Sequence, residues 1–384
     1  MKIALSILCE NPSRRTGLST TFEEFVARGA KLFPDVSWLV FAGPEQEFRA
    51  SGANIQIDRS FQANDRLRQR LWADHVLVPA AARREGADVL ITTGFVPIRK
   101  TLPVVMLVFS LQHLDPRNKI GFARGLYRKW LTKSSWPKAD LVITNSKFAA
   151  SQILSVYPDF RSRLVQSYEG LQHEQFNPVP LPDEATRLQE QFKLQPGYFL
   201  WISNFYPYKQ PGSLLKAYSL LPVEFRRLHP LVMSGGSWAN ELENCKELAR
   251  DYGIEQDVRF LGWVGDEWLA PLYRHALAFV LASREETFGR CVIESMACGT
   301  PCIVNDIPIM REVTEGHASV VDYQTAPAVA AALREIAGNR KFREQLKIDG
   351  LARASDFTFE KFATERVSAI QRFLQENSAR KSRE

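Results

Sequence analysis

The 384-residue sequence has no G-x-G-x-x-G after its first apolar run, no Walker lysine motif and no Asp-x-Asp. The first absence argues against a dinucleotide oxidoreductase and the second against a P-loop nucleotide site. The third removes the usual sign of a divalent metal held on a diphosphate. Cysteine is scarce: five residues, an odd number, with no histidine joining Cys291, Cys298 and Cys302 at a zinc-like spacing. Free thiols in a reducing cytoplasm fit that pattern. No run approaches the roughly 18 apolar residues of a membrane span, so any membrane contact is expected to be peripheral. The opening MKIALSILCENPSRR has too short an apolar stretch, and no small-residue cleavage site, for a signal peptide; it reads as a first buried strand.

What is present is ordinary for a globular protein. Hydrophobic residues make up 45% and charged residues 24%, with a formal net charge of +6. The length predicts two domains. The basic excess fits an acidic substrate, an anionic membrane or nucleic acid, without choosing among them. Short, nearly continuous apolar runs alternate with amphipathic segments. In the first half the strand candidates are 2–8, 37–43, 88–93, 103–109, 140–146 and 163–168. In the second they are 198–204, 230–236, 258–264, 277–283 and 301–306. Such runs predict parallel strands covered on both faces, in doubly wound α/β domains. The proline- and charge-rich stretch 177–197 reads as a linker between the halves. The terminal segment TFEKFATERVSAIQRFLQEN reads as an amphipathic helix, with NSARKSRE frayed after it. The expected domains are 1–178, 179–358 and a helix over 359–384 returning to the first. Ligands of doubly wound sheets collect in the loops after the strands and at helix N-termini.

The densest chemistry follows the run LAFVLAS, in SREETFGRCVIESMACGTPCIVNDIP. Glu286 falls in the loop, Phe288 and Gly289 form a tight turn, and a helix begins near Arg290. Glu294 then sits about one turn in. The helix-start amides near Cys291 and Val292 have the polarity to hold phosphate. Carboxylates beside such a site accept hydrogen bonds from sugar or ribose hydroxyls. A solvated acidic loop with a glutamate at a helix start remains the plain alternative.

This segment resembles the signature of the retaining GT-B glycosyltransferases of family 4, also called group 1. Their pattern is Glu, seven residues, Glu, with Phe-Gly after the first Glu, then Glu-x-Met-Ala-x-Gly-x-Pro. Glu286, Phe288, Gly289, Glu294, Met296, Ala297, Gly299 and Pro301 match it. The resemblance implies that Glu286 holds sugar hydroxyls and Glu294 the nucleotide ribose. In WISNFYPYKQPGSLLKAY, Lys209 falls on the family's lysine and would neutralise the diphosphate, although taken alone it reads as a surface lysine. The usual glycine and arginine before it are Ser203 and Asn204, leaving Asn204 as the donor-side residue there. In VRFLGWVGDEWLAPLY, Val264 and Asp266 would line the nucleobase, or Asp266 would simply cap the helix that follows. Near the N-terminus Thr16-Gly17 stands where the family often has Gly-Gly, so the Gly17 backbone would touch the diphosphate; Thr16 and Ser19 are also candidate caps. His113, after the run MLVF, takes the place of a histidine near the transferred sugar, with a structural histidine as the alternative.

The resemblance runs over about residues 1–365 and is strong over 198–313. It implies a GT-B fold, two Rossmann-like doubly wound domains facing a central cleft. The implied activity is transfer from a UDP- or GDP-sugar donor to a glycan or lipid-linked acceptor, with retention and without metal or other cofactor. Bacterial surface polysaccharide synthesis is the expected setting. A nucleotide-sugar epimerase, a glycan phosphorylase and a non-catalytic sugar-nucleotide-binding partner are the rivals. The stretch 117–138 carries seven basic residues, no acid, and Phe122, Leu126, Tyr127, Trp130 and Trp136. It predicts either peripheral contact with an anionic membrane at the inner face or a surface helix whose aromatics pack inward. Nucleic acid is not expected, since no recognition module accompanies the charge.

Overall fold

The computed structural model describes residues 1–10, 16–63, 66–111, 122–237 and 240–381. The chain divides into two units, one of residues 1–170 with 358–384, the other of residues 171–357.

The first unit is built on seven parallel strands: β1 (Lys2–Ser6), β2 (Ser37–Phe41), β3 (Ile55–Asp58), β4 (Val89–Thr93), β5 (Val104–Val108), β6 (Leu141–Thr144) and β7 (Leu164–Gln166). Their order is β3-β2-β1-β4-β5-β6-β7. The pleat sends alternate residues to opposite faces. Ile3, Leu5, Trp38, Val40, Ile91 and Val105 face helices 17–32 and 359–381. Ala4, Leu39, Phe41 and Leu90 face the other way, against helix 78–84. Burial of both faces is why these strands read as continuous apolar runs. Phe25 meets Trp38 and Phe362 edge-on at 5.1 and 5.5 Å, which fixes the C-terminal helix to this unit.

The second unit has six parallel strands: β8 (Tyr198–Ile202), β9 (Leu231–Ser234), β10 (Val258–Gly262), β11 (Ala276–Leu281), β12 (Cys302–Asn305) and β13 (Ser319–Val321), in the order β10-β9-β8-β11-β12-β13. Phe199, Trp201, Met233 and Val280 pack on Leu214, Tyr218, Val329 and Leu333 from helices 211–219 and 326–338.

Four expectations need correction. The stretch 177–197 is not simply a linker: Glu184–Phe192 is a helix, because buried Glu184 takes Arg274 Nη2 at 2.6 Å and Leu188 is buried. The change between units comes at Gly170–Leu171 rather than after 178. Leu171 N–H donates to Phe357 O at 3.1 Å, which ties it to the second unit. The terminal helix continues through Asn377 to Lys381 instead of fraying there. Strands β3 and β13 were absent from the sequence reading.

Gly170 lies against the C-terminal helix so closely that a Cβ there would stand 2.8 Å from Phe359 Cα and run into its ring. Gly170→Ala is expected to lower the unfolding free energy of the first unit by about 1–3 kcal/mol. Denaturant titration measures it, and an unchanged midpoint would show that the contact yields freely.

Candidate functional site

In the second sheet the strand order turns back between β8 and β11. Loops after two such strands leave in opposite directions and open a crevice at their carboxyl ends. Lys209 follows β8 and Glu286 follows β11. Lys209 Nζ lies 2.5 Å from Glu286 Oε1, with only 13% and 11% of the two side chains exposed.

Several contacts build this meeting. Gly235, at φ +147, brings the chain after β9 against the chain after β8; a Cβ there would overlap Ser203 O. Phe205 N–H then donates to Gly236 O at 2.8 Å, and Gly236 N–H to Asn204 Oδ1 at 3.2 Å. Asn204 therefore spends its side-chain oxygen on the loop. Arg284 N–H donates to Tyr208 O at 2.8 Å and ties the two loops together. Burial by itself would depress the Lys209 pKa; the Glu286 carboxylate outweighs it and holds the ammonium above its ordinary range.

The helix after Glu286 spans Arg290–Ala297, capped by Gly289 at φ +90, a conformation that suits glycine. Phe288 is a core residue, meeting Phe357 at 5.6 Å. Val292 N–H already donates to Gly289 O at 2.9 Å, so of the two amides expected to face phosphate that one is engaged. Glu294 is buried, and both its oxygens are held: Oε1 by Arg290 Nε at 3.0 Å and Oε2 by Tyr273 OH at 3.1 Å. Burial raises its pKa, while Arg290 and Tyr273 oppose the rise. Cys291 sits within the field of Glu286, Lys209 and Glu294, and burial holds its thiol protonated.

Of the remaining expected residues, Val264 is buried and Asp266 opens helix Asp266–His275, but Gly265 occupies the cap and no side chain caps that helix. Asp266 is not the cap offered as its alternative role. Gly17 is the first residue of helix 17–32 in the first unit, where Thr16 caps the helix and forms a capping box with Ser19. His113 lies outside the described residues. Sequence reasoning missed Tyr208 and Tyr273. A tyrosine on the apolar face of WLAPLY was the available signal, since a buried phenol needs a hydrogen-bond partner.

Tyr273→Phe removes one donor from a buried carboxylate and is expected to cost the fold about 1–3 kcal/mol. Chemical denaturation measures the loss; an unchanged free energy would mean that this hydrogen bond contributes nothing.

Residues 183–352 match the model of a family described as glycosyl transferases group 1. The chain is 29% identical over 265 residues to O-antigen chain mannosyltransferase B of Escherichia coli, covering 68% of this chain and 67% of that one. It is 25% identical over 244 residues to the serotype-specific mannosyltransferase WbdA of Escherichia coli, covering 63% of this chain but only 30% of the relative. Sucrose-phosphate synthase from Thermosynechococcus elongatus superposes with a TM-score of 0.80 over 98% of this chain and 99% of that one, at 20% identity. That likeness carries the fold alone. The chain thus has the GT-B fold, and the matches support a group 1 glycosyl transferase, with the family match carried by the second unit.

Proposed function

We propose that the chain transfers a mannosyl unit from a UDP- or GDP-sugar to a hydroxyl of a glycan or lipid-linked acceptor, with retention of anomeric configuration, in bacterial surface polysaccharide synthesis. The sugar and the setting rest on the names of the relatives. The observation that carries the chemistry is the buried Lys209–Glu286 pair beside the start of helix 290–297.

The difficult step in transfer from a sugar nucleotide is charge build-up on the departing diphosphate. A lysine held charged in a water-poor site stabilises that charge without reorganising. Lys209 and the positive end of helix 290–297 supply it in this reading, and no metal is required. When the diphosphate engages Lys209, Glu286 is released to accept hydrogen bonds from the sugar hydroxyls. Glu294 accepts from the ribose hydroxyls in place of Arg290. Front-face departure then leaves the phosphate oxygen beside the acceptor hydroxyl, whose proton it takes.

Thermal-shift measurements with UDP-, GDP- and ADP-sugars are expected to show stabilisation by one donor class. Glu286→Ala is expected to lose transfer while keeping the nucleotide-induced shift. Lys209→Ala is expected to slow transfer by roughly a hundredfold or more, the scale of losing one placed transition-state donor. Transfer near the wild-type rate in Glu286→Ala would overturn the role given to that residue.

No described helix is long and apolar enough to cross a membrane. Within 122–138, Trp136 is buried and donates to Gly94 O at 2.9 Å, while Leu126 and Trp130 point outward beside exposed Lys129 and Lys133. This division supports peripheral contact with an anionic bilayer at the site of a lipid-linked acceptor. Flotation with phosphatidylglycerol-containing vesicles at low salt should carry the protein upward; failure to float removes the membrane from this reading.

A further inference from the structure

Helix 359–381 runs antiparallel to the strands of the first sheet. Phe359 lies against Gly170, which follows β7, whereas Leu374 and Ser378 lie beside residues that precede β1, β4 and β5. At roughly 1.5 Å per residue, about 22 Å of helix separates Phe359 from Leu374. Up to Ile370 the inward stripe is apolar: Phe362, Ala363, Val367 and Ile370 are buried in the core. Beyond it the helix overhangs the starts of the strands. A cavity of about 760 Å³ opens there, with Ala87, Leu102, Pro103 and Leu374 among its walls. That volume is in the range of small-molecule sites.

The polar lining is almost uncharged. Gln371, Gln375 and Ser378 face the cavity with Leu374, at the three- and four-residue spacings of one helix side, and Asn377 stands beside them. The neighbouring charged residues of the same turns, Arg372 and Glu376, are exposed and do not line the cavity. Among the described residues, the carboxamides of Gln371, Gln375 and Asn377 form no hydrogen bond with the protein. Asp88 lines the opposite side and accepts from Lys2 N–H through Oδ2 at 2.7 Å. No lysine, arginine or histidine lines the cavity among the described residues, and the Met1 ammonium donates to Asp35 O at 3.4 Å. A phosphate or carboxylate ligand would therefore meet a carboxylate and no cationic side chain.

Each carboxamide offers an acceptor oxygen and two donor hydrogens. Sugar hydroxyls both donate and accept, and the C–H faces of sugar rings are apolar, so a wall of amides opposite Leu102 and Pro103 matches both surfaces. We propose that this cavity holds a segment of an uncharged glycan, at a site separate from the loops after the strands. That the glycan is the acceptor or product chain rests on the transfer reaction proposed above. A second hold of this kind keeps the chain near the enzyme between transfers, because it raises the effective concentration of the reacting end.

Photo-cross-linking of the full chain with an α-linked mannotetraose that carries a diazirine at its reducing end tests this, together with the affinity of the untagged mannotetraose by saturation-transfer NMR. Cross-links are expected within 87–103 or 371–378. The double variant Gln371→Leu with Gln375→Leu is expected to weaken mannotetraose at least fivefold, the scale of two lost neutral hydrogen bonds, and to keep the thermal shift induced by a sugar nucleotide. Asn377→Leu is the second variant and is expected to weaken it about two- to tenfold. Unchanged affinity in both variants overturns the proposal, as do cross-links found only outside these segments. So does absence of mannotetraose binding at millimolar concentration, or its displacement from the cavity by inorganic phosphate. A wild type that no sugar nucleotide stabilises would instead count against the transfer reaction, while cross-links at 371–378 would still support glycan binding.

Discussion

A parallel sheet covered by helices on both faces leaves only its ends for chemistry, and the candidate sites of this protein follow from that constraint. Every crossover returns the chain to the end of the sheet where the strands begin, so each strand delivers its next loop to the opposite end. Where the order reverses, two loops diverge and a crevice opens between them. In the second unit that gap receives Lys209 from the loop after β8 and Glu286 from the loop after β11. In the first it receives Ser6 and the residues after β1 and β4. Helices 290–297 and 17–32 both start at such an end, adding the partial positive charge of their first turns.

The Lys209–Glu286 pair shows how that constraint becomes chemistry. Removing two charges from water is expensive, and the attraction between them repays it only when the geometry is close. A buried pair is therefore weak evidence for stability and better evidence for a site that must hold charge before its ligand arrives. The glutamate keeps the lysine protonated and in place, as its raised pKa records. An arriving diphosphate then substitutes one anionic partner for another instead of creating a cationic site from a solvated side chain.

Much of this was legible in the sequence, and the illegible parts have physical reasons. Strands such as DVLITT and DLVITNS stood out because both faces are buried, and EETFGRCVIE was recognisable because it is contiguous. The β3 segment IQID is an edge strand of the first sheet with no fully buried residue, and β13 contributes only SVV at an edge of the second. Neither carries an apolar signature to read. The helix 184–192 was hidden by flanking prolines and depends on Arg274, which is distant in sequence. Tyr273 reaches Glu294 across 21 positions, a distance that no local motif spans.

The division of the chain into a contiguous second unit and a discontinuous first one has a consequence for biogenesis. Phe25 and its neighbours on helix 17–32 are made before the second unit, but their partners Phe359, Phe362 and Ile370 are made after it. The first sheet's core therefore stays open while the second unit, residues 171–357, has all it needs to fold. The first unit is thus begun before the second and closed only after it, so its exposed apolar face must be kept from aggregation until synthesis has passed helix 359–381.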